Sequence, residues 1–429
     1  MLPPVDDSVD GDMSRPAQVY GARAEQFSIL PGSEFAGWRM VDASRDLARA
    51  RVDQVGSLLR PSWLKDVYAR HGRGEATDEE LRAAQDEAVR AVVARQEAIG
   101  FPIVTDGELR RLNFQDSFSV SVSGFAATPS TAQFHEQRVE GGRPGQRWDP
   151  GYVGEGPAVV HRRPVVERIA LARNLPLEEF RFTHAIAHAP VKVTLIGPDR
   201  ISQRFDAEGS RAVYSDVQRF VDDVVRVERA MIQQLQDAGC PYVQIDAPGY
   251  TAYVDPPSLA QMRVRGEDPD AAMARSMAAD NAIVDSFPGL LFGIHLCRGN
   301  QAGMWHREGH YDAIAERLFS TLHHQRFLLE YDTERAGSFE PLRFVPRDKM
   351  VVLGLVSTKS PEVEAEDELK RRIEEASRFV SVDQLALSPQ CGFASDIVGN
   401  PLSEDDQWRK LEVVLAVARD VWGAPAATQ

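Results

Sequence analysis

The feature that most restricts the fold of this chain is an alternation of short apolar runs with longer stretches of helical spacing. Runs rich in Val, Ile and Leu occur at 52–56, 102–105, 191–196, 242–245, 291–296, 327–331, 351–355 and 385–388. Helical spacing is clearest at 78–99, 215–238, 268–286, 312–322, 361–380 and 404–421. A short, continuously apolar run reads as a strand buried on both faces, and helices joining parallel strands supply that cover. Eight such units, the last followed by a helix, predict an α/β fold, a single (β/α)8 TIM barrel over residues 46–429. With 429 residues, 43% of them hydrophobic, the chain has material for one large core. The segment Thr77-Asp78-Glu79-Glu80 predicts a capped helix start with acids on its first turn.

Two regions fall outside the alternation. Residues 1–45 are rich in Asp, Ser, Pro, Gly and Arg and predict an N-terminal arm or extension. The stretch between the second and third strands, about 107–190, is too long for one helix and carries Gly, Pro and Arg clusters around 141–151. It reads as an insertion at one mouth of the barrel, lining or covering a site.

Charge narrows the partners. With 64 acidic against 49 basic residues the formal net charge is −15, which argues against nucleic acid or an anionic membrane as a partner. No run of about 18 apolar residues offers a membrane span. The first residues lack the basic and apolar regions of a secretory signal. Three cysteines, Cys240, Cys297 and Cys391, make no disulfide framework and point to a reducing cytoplasm. A homo-oligomer is left open.

The chemistry concentrates at strand ends. In Gly293-Ile-His-Leu-Cys-Arg-Gly-Asn300, His295 and Cys297 stand two residues apart at the end of a strand, so both side chains share a face and can share one Zn²⁺. A buried cysteine beside a satisfied histidine is the bland alternative. Cys391 follows the eighth strand, and Glu330 ends the sixth. Functional side chains of a barrel converge from the C-terminal ends of different strands. Glu330 could instead pair with an arginine, and Asp332 is a rival ligand. Cys240 precedes the fourth strand and reads as buried and inert; His306 and His310 read as solvated loop residues.

These residues also carry a family resemblance. The runs His-Leu-Cys-Arg-Gly-Asn, Leu-Glu-Tyr-Asp-Thr-Glu-Arg-Ala-Gly-Ser-Phe-Glu-Pro-Leu-Arg and Leu-Ser-Pro-Gln-Cys-Gly-Phe-Ala-Ser resemble the catalytic half of cobalamin-independent methionine synthase. The chain is more similar still to shorter bacterial proteins containing only that half, from about residue 50 onward. The resemblance implies a zinc site of His295, Cys297, Glu330 and Cys391. It further implies that Val55-Gly56-Ser57 binds the carboxylate of an acceptor amino acid. Glu108 in Asp106-Gly-Glu108, and Asp246 in Gln244-Ile-Asp-Ala-Pro248, would contact its amino group. Read without the resemblance, Gly56 and Gly107 are turn residues and the acids are solvated.

The methyl-donor half matches less well. Lys359 stands where the family has a proton-donating His, and it suits either a catalytic acid or an anion binder. The folate-stacking Trp is missing at Ile196-Gly-Pro198, and Ala252 replaces a pterin-contacting acid. Only Arg162-Arg163-Pro164 resembles a folate-side segment, which makes Arg163 the cofactor-side candidate. The expected function is a zinc-dependent S-methyltransferase that activates homocysteine for methionine synthesis, with methyltetrahydrofolate or another methyl donor. Two alternatives stand beside it: a thiol alkyltransferase of the epoxyalkane–coenzyme M type, and a metal-free barrel like uroporphyrinogen decarboxylase.

Overall fold

Six of the eight predicted strands form one parallel sheet in the computed structural model. It describes residues 47–126, 145–147, 163–203, 205–285 and 287–423. In chain order the strands are β1 (Val122–Phe125), β2 (Val165–Leu171), β3 (Lys192–Ile196), β4 (Tyr242–Asp246), β5 (Leu291–Leu296), β6 (Arg326–Glu330), β7 (Met350–Val356) and β8 (Leu385–Pro389). The sheet runs β3-β4-β5-β6-β7-β8, each strand parallel to its neighbour. Every residue of these six strands is buried, as continuous apolar runs require when both faces are covered.

The two remaining predicted strands meet the edges of this sheet through single parallel bridges, Val52 to Leu387 and Val104 to Val191. Between these two segments no ladder forms among the described residues, and the reason is local. The buried Gln96 amide takes both backbone groups of Thr105: its Oε1 accepts from Thr105 N at 3.0 Å, and its Nε2 donates to Thr105 O at 2.9 Å. Those two bonds replace a strand partner, since each buried backbone group needs one. Gln54 Nε2 donates to the same Gln96 oxygen, and Thr105 Oγ1 donates to Gly56 O at 2.8 Å. The contact between the two segments is therefore made largely by side chains. What the strands establish is an α/β fold with a parallel sheet, coarser than the eight-stranded closed barrel expected from the alternation.

The helices follow the predicted stretches: Asp78–Ile99, Val217–Asp237, Pro269–Val284, Ala315–Thr321, Glu366–Ala376 and Glu404–Trp422. The first starts as expected, with Thr77 Oγ1 accepting from Glu80 N and Glu80 accepting from Thr77 N. Helices at Ser62–Gly72, Leu175–Ile186 and Pro256–Val264 were not expected from spacing. Nor was the antiparallel β1–β2 hairpin within the predicted insertion. Phe125 of β1 meets Phe220 edge-on, which seats the hairpin on the helix Val217–Asp237. The described residues all belong to one compact unit, 40–426. The predicted arm, 1–45, lies outside the described residues, as do 127–144 and 148–162 of the predicted insertion. Among the described residues no helix is long and apolar enough to cross a membrane.

Candidate metal centre and substrate cavity

The parallel sheet delivers its strand ends to one side, and there His295, Cys297 and Cys391 come together. His295 lies within β5, Cys297 follows β5 directly, and Cys391 follows β8 by two residues. One ligand atom from each lies within 4.8 Å of the others, and all three residues are buried. Among the described residues, neither ring nitrogen of His295 has a well-aligned hydrogen-bond partner. Apart from its contact with Cys297, this buried imidazole lacks a well-aligned partner, so its nitrogens suit a ligand that supplies what the protein does not. A hydrogen bond from the Cys391 thiol, with the neighbouring His295, holds Cys297 well below the ordinary cysteine value despite burial. The same bond pushes Cys391 well above it. Burial pulls the other way, but the charge of Cys297 raises His295. A thiolate beside a raised imidazole and a second thiol is a donor set that a soft, borderline divalent ion would take.

Glu330 ends β6 beside this cluster but is otherwise engaged. Arg335 donates to its Oε1 from Nε at 2.9 Å and Nη2 at 2.6 Å, and Arg298 N donates to its Oε2 at 2.5 Å. Burial opposes ionisation, yet Arg335, Arg298 and Lys359 hold Glu330 down at about 2. Asp332 shares Arg335, 2.7 Å from Nη2. The three-residue cluster thus forms without the fourth predicted ligand, whose carboxylate is paired with arginine.

The cluster opens on a cavity of about 410 Å³, and Ser57, Glu108 and Asp246 line it together with His295, Cys297 and Cys391. Glu108 is held at a positive φ of 56°, a conformation that side chains rarely adopt and that marks functional positions. Its Oε1 accepts from Thr194 Oγ1 at 2.6 Å, whereas its buried Oε2 has no hydrogen-bond partner among the described residues. Asp246 pairs in register with His295 and accepts from Gln244 Nε2 at 2.7 Å. Burial pushes its carboxyl up to about 7, with His295 opposing and Glu108 adding to the rise. Gln244 is itself oriented from below, because Lys192 Nζ donates to its Oε1 at 2.7 Å and to Asp53 Oδ1 at 2.7 Å.

Other predicted positions fall elsewhere. Lys359 is buried and does not line the cavity; its Nζ donates to Gly299 O and Asn300 Oδ1, both at 3.2 Å. Arg163 lines a separate cleft of about 30 Å³, donating to Ala126 O at 2.6 Å and stacking over Phe125. Cys240 is buried as expected, and burial pushes its thiol up to about 12. His306 departs from the expectation of a solvated loop residue. It is half-buried on the cavity wall, packed on Gly299, where a Cβ would sit 2.3 Å from its ring. Sequence reasoning also missed Gln115, Asp199, Arg200 and Arg307 in the same wall. They sit in loops and short helical turns whose polar residues look solvated in sequence; the one signal was their placement after strand ends.

Comparison with known proteins identifies the family. The family described as cobalamin-independent synthase, catalytic domain, matches residues 328–400, which carry Glu330, Lys359 and Cys391. The uncharacterised protein YxjG of Bacillus subtilis is 38% identical over 379 residues, covering 87% of this chain and 94% of that protein. A protein named methionine synthase in Pyrococcus abyssi is 25% identical over 339 residues, covering 79% and 84%. The crystal structure of a putative vitamin-B12-independent methionine synthase from Listeria monocytogenes superposes with a TM-score of 0.65 at 27% identity, covering 87% of this chain and 98% of that one. With a relative of this identity over nearly its whole length, the chain belongs to the cobalamin-independent methionine synthase family, in its short form.

Proposed function

We propose that this protein is a zinc-dependent methyltransferase that methylates the thiol of homocysteine, and that its sheet and two bridged edge segments form a (β/α)8 barrel. The observation that carries the reading is the pair Glu108 and Asp246 in the same cavity as the His295–Cys297–Cys391 cluster. Two carboxylates facing one cavity suit an ammonium group, and three buried metal-type ligands suit a thiol beside it. Homocysteine carries both groups at once. Coenzyme M lacks the ammonium, so the acid pair favours the amino acid over the epoxyalkane reading.

His295, Cys297 and Cys391 would hold the zinc, with Glu330 as a fourth ligand only if it leaves Arg335. When bound there, zinc lowers the pKa of a thiol so that it is a nucleophile at neutral pH. The chain's own residues do the positioning. Glu108 Oε2 and Asp246 receive the ammonium, which draws Asp246 to its ionised form and releases its proton near neutrality. Ser57, with the backbone around it, receives the carboxylate. Three points of attachment fix the sulfur against the donor, and such positioning is one source of the rate gain in a two-substrate transfer. Lys359 adds positive charge beside Cys391 and Glu330 and braces the loop after Cys297, a supporting role.

The test is to incubate the zinc-loaded protein with homocysteine and a panel of methyl donors and to assay methionine, alongside metal analysis. Methionine from any donor, with about one zinc per chain, is the expected result. A metal-free protein that binds no homocysteine would overturn the reading and favour the decarboxylase-like alternative.

A further inference from the structure

Glu108 stands beside a buried arginine without being claimed by it. Arg111 Nη1 lies 3.5 Å from Glu108 Oε1, and both side chains are buried. Glu330 shows the other outcome: Arg335 reaches it at 2.6 Å, and the carboxylate stays paired. Arg111 is taken instead by Glu179, on the helix Leu175–Ile186. Its Nε donates to Glu179 Oε1 at 2.9 Å and its Nη2 to Oε2 at 2.6 Å, a two-pronged pairing that fixes the plane of the guanidinium. Burial opposes the charge of Arg111, but Glu179 and then Glu108 outweigh it and raise its pKa. Burial pushes Glu179 up to about 7, with Arg111 opposing and Asp106 adding to the rise.

The remaining prong of Arg111 acts through Thr194 of β3. Arg111 Nη1 donates to Thr194 Oγ1 at 2.9 Å, and Nη2 donates to Thr194 O at 3.0 Å. A guanidinium can only donate, so the hydroxyl accepts there, and its single proton is left for Glu108 Oε1 at 2.6 Å. Oε1 is thereby engaged, and Oε2 is the oxygen left for a ligand. Gly56 leaves room for this arrangement: at its φ of 148° a Cβ would fall 2.7 Å from Thr194 Cγ2 and 3.3 Å from Glu108 Oε1. The turn that carries Glu108 is also tied to the loop after Cys391. Arg60 Nη2 donates to Glu108 O at 2.9 Å, and its Nη1 donates to Ala394 O at 3.1 Å. The same face of β3 orients the second acid, since Lys192 sets Gln244, which donates to Asp246.

We propose that Glu179, Arg111 and Thr194 are positioning residues for the acid that reads the amine. Glu179 keeps the guanidinium from pairing with Glu108, and Arg111 aims the Thr194 hydroxyl so that Glu108 presents Oε2 to the substrate ammonium. The proposal rests on Glu108 and Asp246 receiving the ammonium of the thiol substrate, as given above. None of the three lines the cavity, so each acts through Glu108.

The experiment titrates homocysteine and 4-mercaptobutanoate, which lacks the amine, into the zinc-loaded full chain by calorimetry at about pH 8, where Glu179 is ionised. The variants are Thr194→Val, Thr194→Ser and Glu179→Gln, with Thr194→Val repeated in a Glu108→Gln background. Melting temperatures are recorded to confirm folding. Thr194→Val should weaken homocysteine about tenfold, the scale of one charged hydrogen bond, and leave 4-mercaptobutanoate unchanged. Thr194→Ser keeps the hydroxyl and should restore wild-type affinity. Glu179→Gln should weaken homocysteine by a similar factor, because Arg111 is then drawn to Glu108. In the Glu108→Gln background Thr194→Val should cost nothing further, as expected of residues that act through one another. Equal losses for the two thiols, additive losses in the double variant, or wild-type affinity in folded Thr194→Val or Glu179→Gln overturn the proposal. If Glu179→Gln does not fold, the Thr194 variants decide it. Failure of wild type to bind homocysteine sinks the methyltransferase reading and this proposal together, whereas unaffected variants of a wild type that binds it sink the proposal alone.

Discussion

Gly392 stands against Ser57 so closely that a Cβ at residue 392 would fall 1.9 Å from Ser57 Oγ. The contact ties the carboxylate-binding candidate to the residue next to Cys391, and so links the amino-acid pocket to the metal cluster. Phe393 N donates to Ser57 O at 2.9 Å in the same contact. Gly392→Ala should push Ser57 from its place and raise the homocysteine concentration for half-maximal rate about tenfold, the effect of losing one hydrogen bond to a charged group. Zinc content should stay at the wild-type level. Steady-state kinetics with metal analysis checks both, and a variant with unaltered kinetics removes Ser57 from the site.

The metal ligands should separate into two groups. Cys297→Ser, Cys391→Ser and His295→Asn are expected to lose most of their zinc after dialysis, because each removes one of three converging ligands. Glu330→Gln should retain zinc at lower affinity, by about tenfold to a hundredfold, as removal of an outer support does. The difference follows from Arg335 and Arg298 already occupying the Glu330 carboxylate. Atomic absorption of the dialysed proteins is the measurement; equal loss in Glu330→Gln would make it a full ligand.

Glu108 and Asp246 are expected to act on the ammonium alone. Glu108→Gln and Asp246→Asn should each weaken homocysteine binding by about 2 kcal/mol, the scale of one charged hydrogen bond. Binding of 4-mercaptobutanoate, which lacks the amino group, should change little. Calorimetry with both thiols decides this, and equal losses for the two ligands would show that the acids shape the pocket without reading the amine. Because Asp246 sits near 7, homocysteine should bind more weakly as pH falls below that value.

Beneath the site, Asp53 joins Lys192 Nζ at 2.7 Å and Arg326 Nη2 at 3.1 Å, all fully buried. Burial pushes the Asp53 carboxyl up, but Lys192 and Arg326 outweigh it and hold it below the usual value. A depressed acid contributes stability that is complete above its unfolded value of about 3.9 and is lost as pH falls through the lower folded value. Asp53→Asn leaves two buried cations uncompensated and should destabilise the fold by about 3–5 kcal/mol at neutral pH. Its further loss of stability on acidification should be shallower than that of wild type. Urea unfolding at a series of pH values tests the sign, and parallel acid limbs would contradict it.

Thiol reactivity should rank the cysteines. In zinc-free protein Cys297, held as a thiolate, should alkylate first with iodoacetamide, and Cys240 should remain unmodified near neutrality. Peptide mass mapping over time reads the order; early modification of Cys240 would mean that its burial is not maintained in solution.

His295, Cys297 and Cys391 were legible in the sequence because strand periodicity is local. Two residues apart at the end of an apolar run share a face wherever the sheet lies, and a parallel sheet sends every such end to one side. That Ser57, Glu108 and Asp246 line one cavity was legible by resemblance, each beside a predicted strand end. The six buried strands were legible too, since continuous apolar runs need cover on both faces.

Partners far apart in sequence were decided by the tertiary structure alone. No local pattern tells that Gln96 supplies Thr105 with its hydrogen bonds, so the first two strands were read as regular when each makes one bridge. Nor does it tell that Arg335 holds Glu330, that Lys359 turns to Gly299 and Asn300, or that His306 lies on the cavity wall. A polar side chain has the same sequence signature whether it meets water or a buried partner. Periodicity records which face a residue is on, and only the folded chain decides what stands opposite.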